Sequence, residues 1–596
     1  MPSRNKRLAL ILAGAAGLAL SLPAIGQRAP ESLLPPGFGD SPATPAPGSV
    51  PDNGTTPLLP SGTFPPEATP TGDELAGDEL PEGEEEEEEA LELPDAARRP
   101  IEIVGPLTDE IGGLGQDAFG RAHGVFLTRL MRRIDAPVAS RWGSILLRRA
   151  LLTRVPTPAE VEPTDWIAAR ASLLLRMGEA DAARMLVESV DADRLDRRLI
   201  VVAQQVALAT ADPAALCRLN EGAARFSRDK SWAYARAICA SLSGEGAISS
   251  ALLDQARGRD RRTVDFLLAE KVVGAGANTR RAAMIDWADV DRLTTWRFGL
   301  ASAVGLAIPD NLYATVGPEV QAWRARAPMF AAADRLGAAA VAASLGVFSN
   351  AALVDLYAQA ADAEGDVGRD APTALLRAAY VGDSQDARMA AIRDLWSDAD
   401  DKPGRLYASE ILTARAVARL RPSDDFASDY ERLIASMLST GLDRQAARWA
   451  PLVEAQDAAN EAWALLAVGA PRPAVAISPD KIEDYASALG AQGLHKVRLL
   501  IAALGATGRI SPDDLASLAE EYGLPIARQN AYTRALDRAA ERGEPGTVAV
   551  LAAAGLQTRG WENVPSFHLY HIMRALRRTG NEAAARMIAA EALSRT

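Results

Sequence analysis

Cysteine is almost missing from this chain: Cys217 and Cys239 are the only two in 596 residues. No Cys-x-x-Cys spacing exists, which excludes a zinc ribbon and a thioredoxin-like site. Histidine is nearly as scarce, and only His568 and His571 fall at a spacing that puts two rings on one helix face. A metal site needs a third and fourth ligand, and the nearest preceding acid is Glu562, so the pair reads as exposed side chains near a helix start. Aromatic residues make up 5% of the chain while hydrophobic residues make up 48%. Packing surfaces must then be built mainly from Ala and Leu, which suits closely packed helices better than base-stacking or carbohydrate-binding clefts.

The usual catalytic signatures are also absent. There is no Gly-x-Ser-x-Gly elbow, no His-Glu-x-x-His helix and no Walker loop. Gly113-Leu-Gly115 lacks the third glycine of a dinucleotide fingerprint. Ser227/Lys230 and Ser478/Lys481 have the Ser-x-x-Lys spacing without the Ser-Asp-Asn and Lys-Thr-Gly that should accompany it. Asp398-Ala-Asp400-Asp401 starts like a calcium loop but puts Pro403 where Gly is required. One acid–aromatic cluster stands out, Asp286-Trp287-Ala-Asp289-Val-Asp291 with Trp296 nearby. Two carboxylates and an indole platform are what a glycosidase uses, and helix-start acids beside a core Trp explain the same letters. No cofactor is expected.

Positive charge is missing where the formal net charge of −14 is concentrated. Between Gln27 and Ala97, seventeen acids face a single base, Arg28, giving −16, whereas the first 26 residues carry +3. The body from Arg98 onward is therefore close to neutral at −1, and a nucleic-acid partner is not indicated.

What is present begins with residues 1–26, which read as a secretory signal. Arg4, Lys6 and Arg7 precede an apolar core, Leu8–Leu22, and Ala24-Ile25-Gly26 offers a cleavage site before Gln27. The core is shorter than the roughly twenty residues of a membrane span. Cleavage between Gly26 and Gln27 would release a periplasmic or secreted protein with no remaining membrane span; retention would leave an N-terminal anchor. Residues 27–100, Pro-rich and then acidic with the run Glu84–Glu89, have too little apolar surface to fold and read as a disordered linker spanning about 50 Å.

Residues 101–160 form an Arg-rich helical segment. Ile101–Val104 reads as a short strand or an extended lead-in, Gly112–Gly115 breaks the chain, and a helical stretch follows from about Asp117. Arg121 to Arg154 holds eight arginines and one acid, Asp135. Arg129, Arg132, Arg133, Arg141, Arg148 and Arg149 are either a face that docks an acidic partner or side chains whose stems cover apolar surface.

Residues 161–596 alternate helix, turn, helix. Gly178-Glu-Ala-Asp-Ala-Ala183-Arg184-Met185 returns at Gly382–Met389 and Gly580–Met587. In each copy a glycine suited to end one helix precedes a small Ala where the next helix packs. Gly441 with Ala446 is a near copy, turning Ser423–Thr440 into Asp443–Val453. Ile477-Ser-Pro-Asp480 and Ile510-Ser-Pro-Asp513 repeat 33 residues apart with Ser as N-cap and Pro at the first helical position. The Gly-to-Ala interval, with Trp166 ahead of it, resembles the turn of tetratricopeptide-type helical repeats. The first-helix Tyr and the closing Pro of that family are mostly missing, and 257–306 shows no clean repeat. The resemblance implies an α-solenoid of antiparallel helical hairpins that binds peptides or proteins on a concave surface.

Cys217 and Cys239, 22 residues apart, fit facing positions on adjacent antiparallel helices. In an exported protein they are disulfide candidates; otherwise they are two buried thiols. The expected function is a non-enzymatic scaffold or adaptor of the cell envelope that binds a protein or cell-wall component. The alternative is a polysaccharide-active enzyme on a helical frame, with Asp286 and Asp289 as its acids.

Overall fold

The computed structural model describes residues 98–257, 263–277, 284–364, 371–399, 403–456 and 458–596. The proposed signal at 1–26, its cleavage site Gly26/Gln27, nearly all of the 27–100 linker, and Asp400 and Asp401 lie outside them. The chain divides into two units, Met1–Glu89 and Ala90–Thr596, and every described residue belongs to the second.

That unit is all-α. Its only paired strands among the described residues are Ile103–Val104 and Val155–Pro156, joined antiparallel. The first helix begins at Gly124 rather than near Asp117, since 116–121 form successive turns. Where the sequence supplies local start chemistry the helices follow it. Ser478 and Ser511 accept from the backbone N–H groups of Lys481 and Asp514, with Pro at the first position of each helix. Asp443–Val453 is not one helix. It breaks into Asp443–Ala446, a 3-10 turn and Ala450–Glu454, with Pro451 unable to donate the N–H that continuity requires.

The glycine device holds at two of its three copies. Gly178 and Gly580 adopt φ of +86° and +77°, and Ala183 and Ala585 behind them are fully buried. Gly382 has φ −55°, Ser384 caps the following helix instead, and Ala387 is exposed. Helices of neighbouring pairs touch: Pro163–Arg176 packs on Arg197–Ala209, Lys230–Leu242 on Val264–Gly276, and Tyr430–Ser439 on Glu461–Gly469.

Helices far apart in sequence also meet. Helix Glu582–Ser594 is buried continuously from Ala585 to Leu593. It packs against Arg141–Leu152, Tyr430–Ser439, Glu461–Gly469, Leu494–Thr507 and Ser566–Arg578. Ala585, Ala589, Ala590 and Ala592 permit that close approach on several sides at once. Its Glu591 carboxylate receives the Ser140 hydroxyl (2.6 Å) and the Arg141 and Trp142 amides (2.8 and 3.2 Å), sitting on the positive end of Arg141–Leu152. Nearby, the Ala139 amide donates to the Leu556 carbonyl (2.9 Å) and the Gly546 amide to that of Ala118 (2.7 Å). Among the described residues, 101–160 is thus no separate body; it is stitched to helices more than 400 positions away.

Arginines hold many of these junctions by capping helix ends that belong to other helices. The last carbonyls of a helix have no partner within it, and a guanidinium supplies several donors in one plane. Arg170, fully buried, donates to the carbonyls of Leu151, Thr153 and Val104 (2.7, 2.8 and 2.9 Å). Arg176 reaches Ile134 and Met131 (2.6 and 2.7 Å), Arg509 reaches Ala467 and Ala470, and Arg586 reaches Gly469 (2.7 Å). Burial alone pushes Arg170 down to about 9, leaving it charged at neutral pH and favourably placed at the negative end of Arg141–Leu152. One continuous core runs from Val104 to Leu593, and a smaller alanine-rich core lies around Ala332–Leu345 and its neighbours.

Candidate binding cleft

Four helices build one cleft: Arg197–Ala209, Lys230–Leu242, Val264–Gly276 and Thr295–Ala303. Each starts on a residue that caps it. Asp196 accepts from the Leu199 amide, Asp229 from Ser231, Thr263 from Phe266 and Thr294 from Arg297. The helices pack in a circuit, Arg197–Ala209 on Thr295–Ala303, that on Val264–Gly276, and that on Lys230–Leu242. Gly299 allows the first of these contacts, because a Cβ there would come within 2.6 Å of the Leu208 carbonyl oxygen. The 3-10 turn Pro213–Leu219 completes the circuit, packing on both Arg197–Ala209 and Lys230–Leu242. Cys217 on that turn and Cys239 on the helix form a disulfide with Cα atoms 5.5 Å apart, so the wall of the cleft is covalently braced.

The cleft encloses about 540 Å³ and receives the first turns of three of its helices. Trp296 is half-buried at its edge, its ring 6.2 Å from that of buried Tyr234, which in turn meets Phe266 edge-on at 5.9 Å. The Trp296 indole N–H donates to the Asp265 carbonyl (3.3 Å). The Asp265 carboxylate takes both oxygens to Arg297, at 2.9 and 3.2 Å, and Arg297 also donates to the Arg292 carbonyl. Across from them, Gln204 donates to the Ser231 hydroxyl (3.1 Å), and Gln205 is exposed beside it. Trp296 and the Gln204 amide are therefore held by neighbouring groups of the protein itself.

The six arginines expected to form a docking face are split between two jobs. Arg129, Arg132 and Arg133 are exposed on Gly124–Arg133, with Arg132 lying 3.7 Å from Asp165. Arg141 is 4% exposed and donates to the carbonyls of Ala343, Ser439 and Phe348, and burial lowers its pKa. Arg148 donates to Glu179 and to the Gly346 carbonyl, and Arg149 to the Gly112 carbonyl. Arg141 serves helix ends inside the body, Arg148 a half-buried junction, and Arg149 a surface turn.

Glu179 is the most perturbed acid at that junction. Burial raises its carboxyl to about 7 against the opposing pull of Arg148 and Arg326. Asp286 and Asp289 are exposed, Asp286 accepting from the Ala288 amide two residues on, and neither lines the cleft; of their cluster only Trp296 does. The histidine pair is not exposed. His571 is buried with its Nδ1 3.2 Å from Asp537, a carboxylate that also receives Arg574. His568 packs on the rings of Tyr532 and Phe567 beside Asn530. Among the described residues no helix is long and apolar enough to cross a membrane. No family model, curated protein or solved structure matches this chain.

Proposed function

We propose that the protein is a non-enzymatic scaffold or adaptor of the cell envelope, exported to the periplasm or beyond, that holds a protein or cell-wall partner on its helical surface. In this reading the body is a divergent tetratricopeptide-like array of hairpins that has curled around the helix Glu582–Ser594. The observation that carries it is the braced cleft between 197 and 303. Three helices between 230 and 303 deliver their first turns to one concave site, where Gln204 is bonded to Ser231 and Asp265 to Arg297 rather than arranged as nucleophile and base. The Cys217–Cys239 bond supports export, since such bonds persist in oxidising compartments.

The polysaccharide-active alternative places its two acids, Asp286 and Asp289, on an exposed turn away from the cleft. Cell-wall hydrolysis that survives Asp286→Ala with Asp289→Ala removes those assignments. The scaffold reading is tested by fractionating cells and capturing the tagged protein from envelope extracts after crosslinking. A stoichiometric envelope partner, lost with Gln205→Ala and Trp296→Ala together, is the expected result; recovery of the protein alone, or from the cytosol, refutes it.

A further inference from the structure

We infer that the 197–303 cleft binds a neutral oligosaccharide, an inference that rests on the proposal that this body is a binding protein. Its size, about 540 Å³, falls within the roughly 300–1,000 Å³ range of small-molecule sites. The lining decides among ligand classes. Two aromatic residues line it, Trp296 and Tyr234, their rings 6.2 Å apart, and Phe266 meets Tyr234 from outside the lining. A flat, half-buried indole gives the C–H face of a pyranose an apolar plate. Gln204 and Gln205, at consecutive positions of Arg197–Ala209, add two amides to the lining, the first already donating to Ser231 and the second exposed, and an amide can both donate to and accept from a sugar hydroxyl. The Asp229 carboxylate at the rim adds acceptors for further hydroxyl protons.

Charge and polarity disfavour an anion, a cation and an apolar chain. Three helix N-termini facing one cleft would ordinarily draw an anion. Here each of them already has a first-turn N–H taken by its own cap, Asp229, Thr263 or Thr294, and two carboxylates, Asp229 and Asp265, line the site. A cation gains little, because Asp265 is neutralised by Arg297 and Lys230 shares the lining. An apolar chain would strand the amides and hydroxyls of the walls without partners. An uncharged, hydroxyl-rich ligand avoids all three penalties.

The test is isothermal titration of the full chain, disulfide intact, with the N-acetylglucosamine trisaccharide, with maltotriose, and with a sulfated disaccharide as the anionic control. Saturable binding of at least one neutral trisaccharide and none of the sulfated sugar is expected. Trp296→Ala should weaken binding about tenfold or more, and Trp296→Phe less. Gln205 is exposed, so Gln205→Ala leaves the fold intact and should also weaken binding. The inference is overturned if neither neutral sugar binds at roughly 10 mM, if the sulfated sugar binds better, or if both variants bind as the unchanged protein does. Absence of sugar binding with an envelope protein still captured through Gln205 and Trp296 defeats this inference and leaves the scaffold reading standing. Cleavage of the trisaccharide during titration, abolished by substitutions in the cleft, defeats the scaffold reading instead.

Discussion

Replacing Glu591 with Gln should cost the fold several kcal/mol although the side chain keeps its size. The carboxylate is 1% exposed. Its two oxygens divide four donors, one taking the Arg141 amide and Arg595, the other the Ser140 hydroxyl and the Trp142 amide. An amide retains one acceptor and turns an N–H₂ toward donors on the other side, so two of the four bonds fail, each charge-assisted and worth about 1.5–3 kcal/mol. Buried Arg141 and half-buried Arg595 lose their shared countercharge at the same time. Breaking one side of such a cluster costs about 3–5 kcal/mol, and the two accounts overlap rather than add. The expected total is therefore about 3–5 kcal/mol. Urea unfolding followed by far-UV circular dichroism and by tryptophan fluorescence should show the midpoint falling by the same amount in both signals, with little change in slope. In an open repeat array the change would touch only the terminal hairpin and most of the transition would stay where it was. A loss below about 1 kcal/mol, or a shift confined to a small part of the signal, would refute the closed arrangement built on this carboxylate.

Three further outcomes follow from the geometry. Gly178→Ala should destabilise by about 2–4 kcal/mol, because the new Cβ adds overpacking to the strain of a positive φ; it would lie 2.8 Å from the Ala322 Cβ. Gly580→Ala, which meets nothing within 4 Å, should cost only about 1 kcal/mol, and equal losses in denaturant titrations would contradict this. Glu179 has a folded value near 7 against an ordinary 4.5, so the native state holds an extra proton across that window. Stability should be greatest at its acid end and decline as pH rises through it, with this group contributing at most about 1.4 kcal/mol per pH unit; Glu179→Gln should abolish that contribution, and an unchanged pH profile would count against it. Cys217→Ser with Cys239→Ser should lower stability by about 3 kcal/mol on the chain-entropy account, and an unchanged unfolding midpoint would show that the bond does not form.

Local chemistry was legible in the amino-acid order. Ser478 and Ser511 with their following prolines start helices as read, Gly178 and Gly580 turn them, and the Cys217/Cys239 spacing puts two sulfurs within bonding reach. What failed had a partner far along the chain. Arg141, Arg148 and Arg149 look no different from Arg129, Arg132 and Arg133 in sequence; only the distant carbonyls of Ala343, Ser439, Gly346 and Gly112 separate them. His571 is interior because the Asp537 carboxylate, 34 positions earlier, lies against its ring and also accepts from Arg574, a partner that the 568/571 spacing does not encode. Gly382 carries the right letters, but Ser384 caps its helix and makes a left-handed turn unnecessary. The cleft was half visible: Trp296 was singled out, yet with Asp286 and Asp289, since sequence proximity hid the walls contributed by Gln204, Gln205 and Asp229.

The second, alanine-rich core has a consequence for how the body breathes. Stacked arrays fray from their extremities, where the last unit has a neighbour on one side only. Here Arg141–Leu152 and Glu582–Ser594 are locked together through Glu591, while Ala332–Leu345, Asn350–Glu364 and Pro403–Val417 line a solvent-open, mostly apolar cleft of about 550 Å³. Short alanine side chains make fewer dispersion contacts than leucines would, and a face open to solvent has no protein neighbour on that side. Local opening should therefore start mid-chain, with exchange of the buried amides around Ala338–Ala343 faster than of those around Ala589.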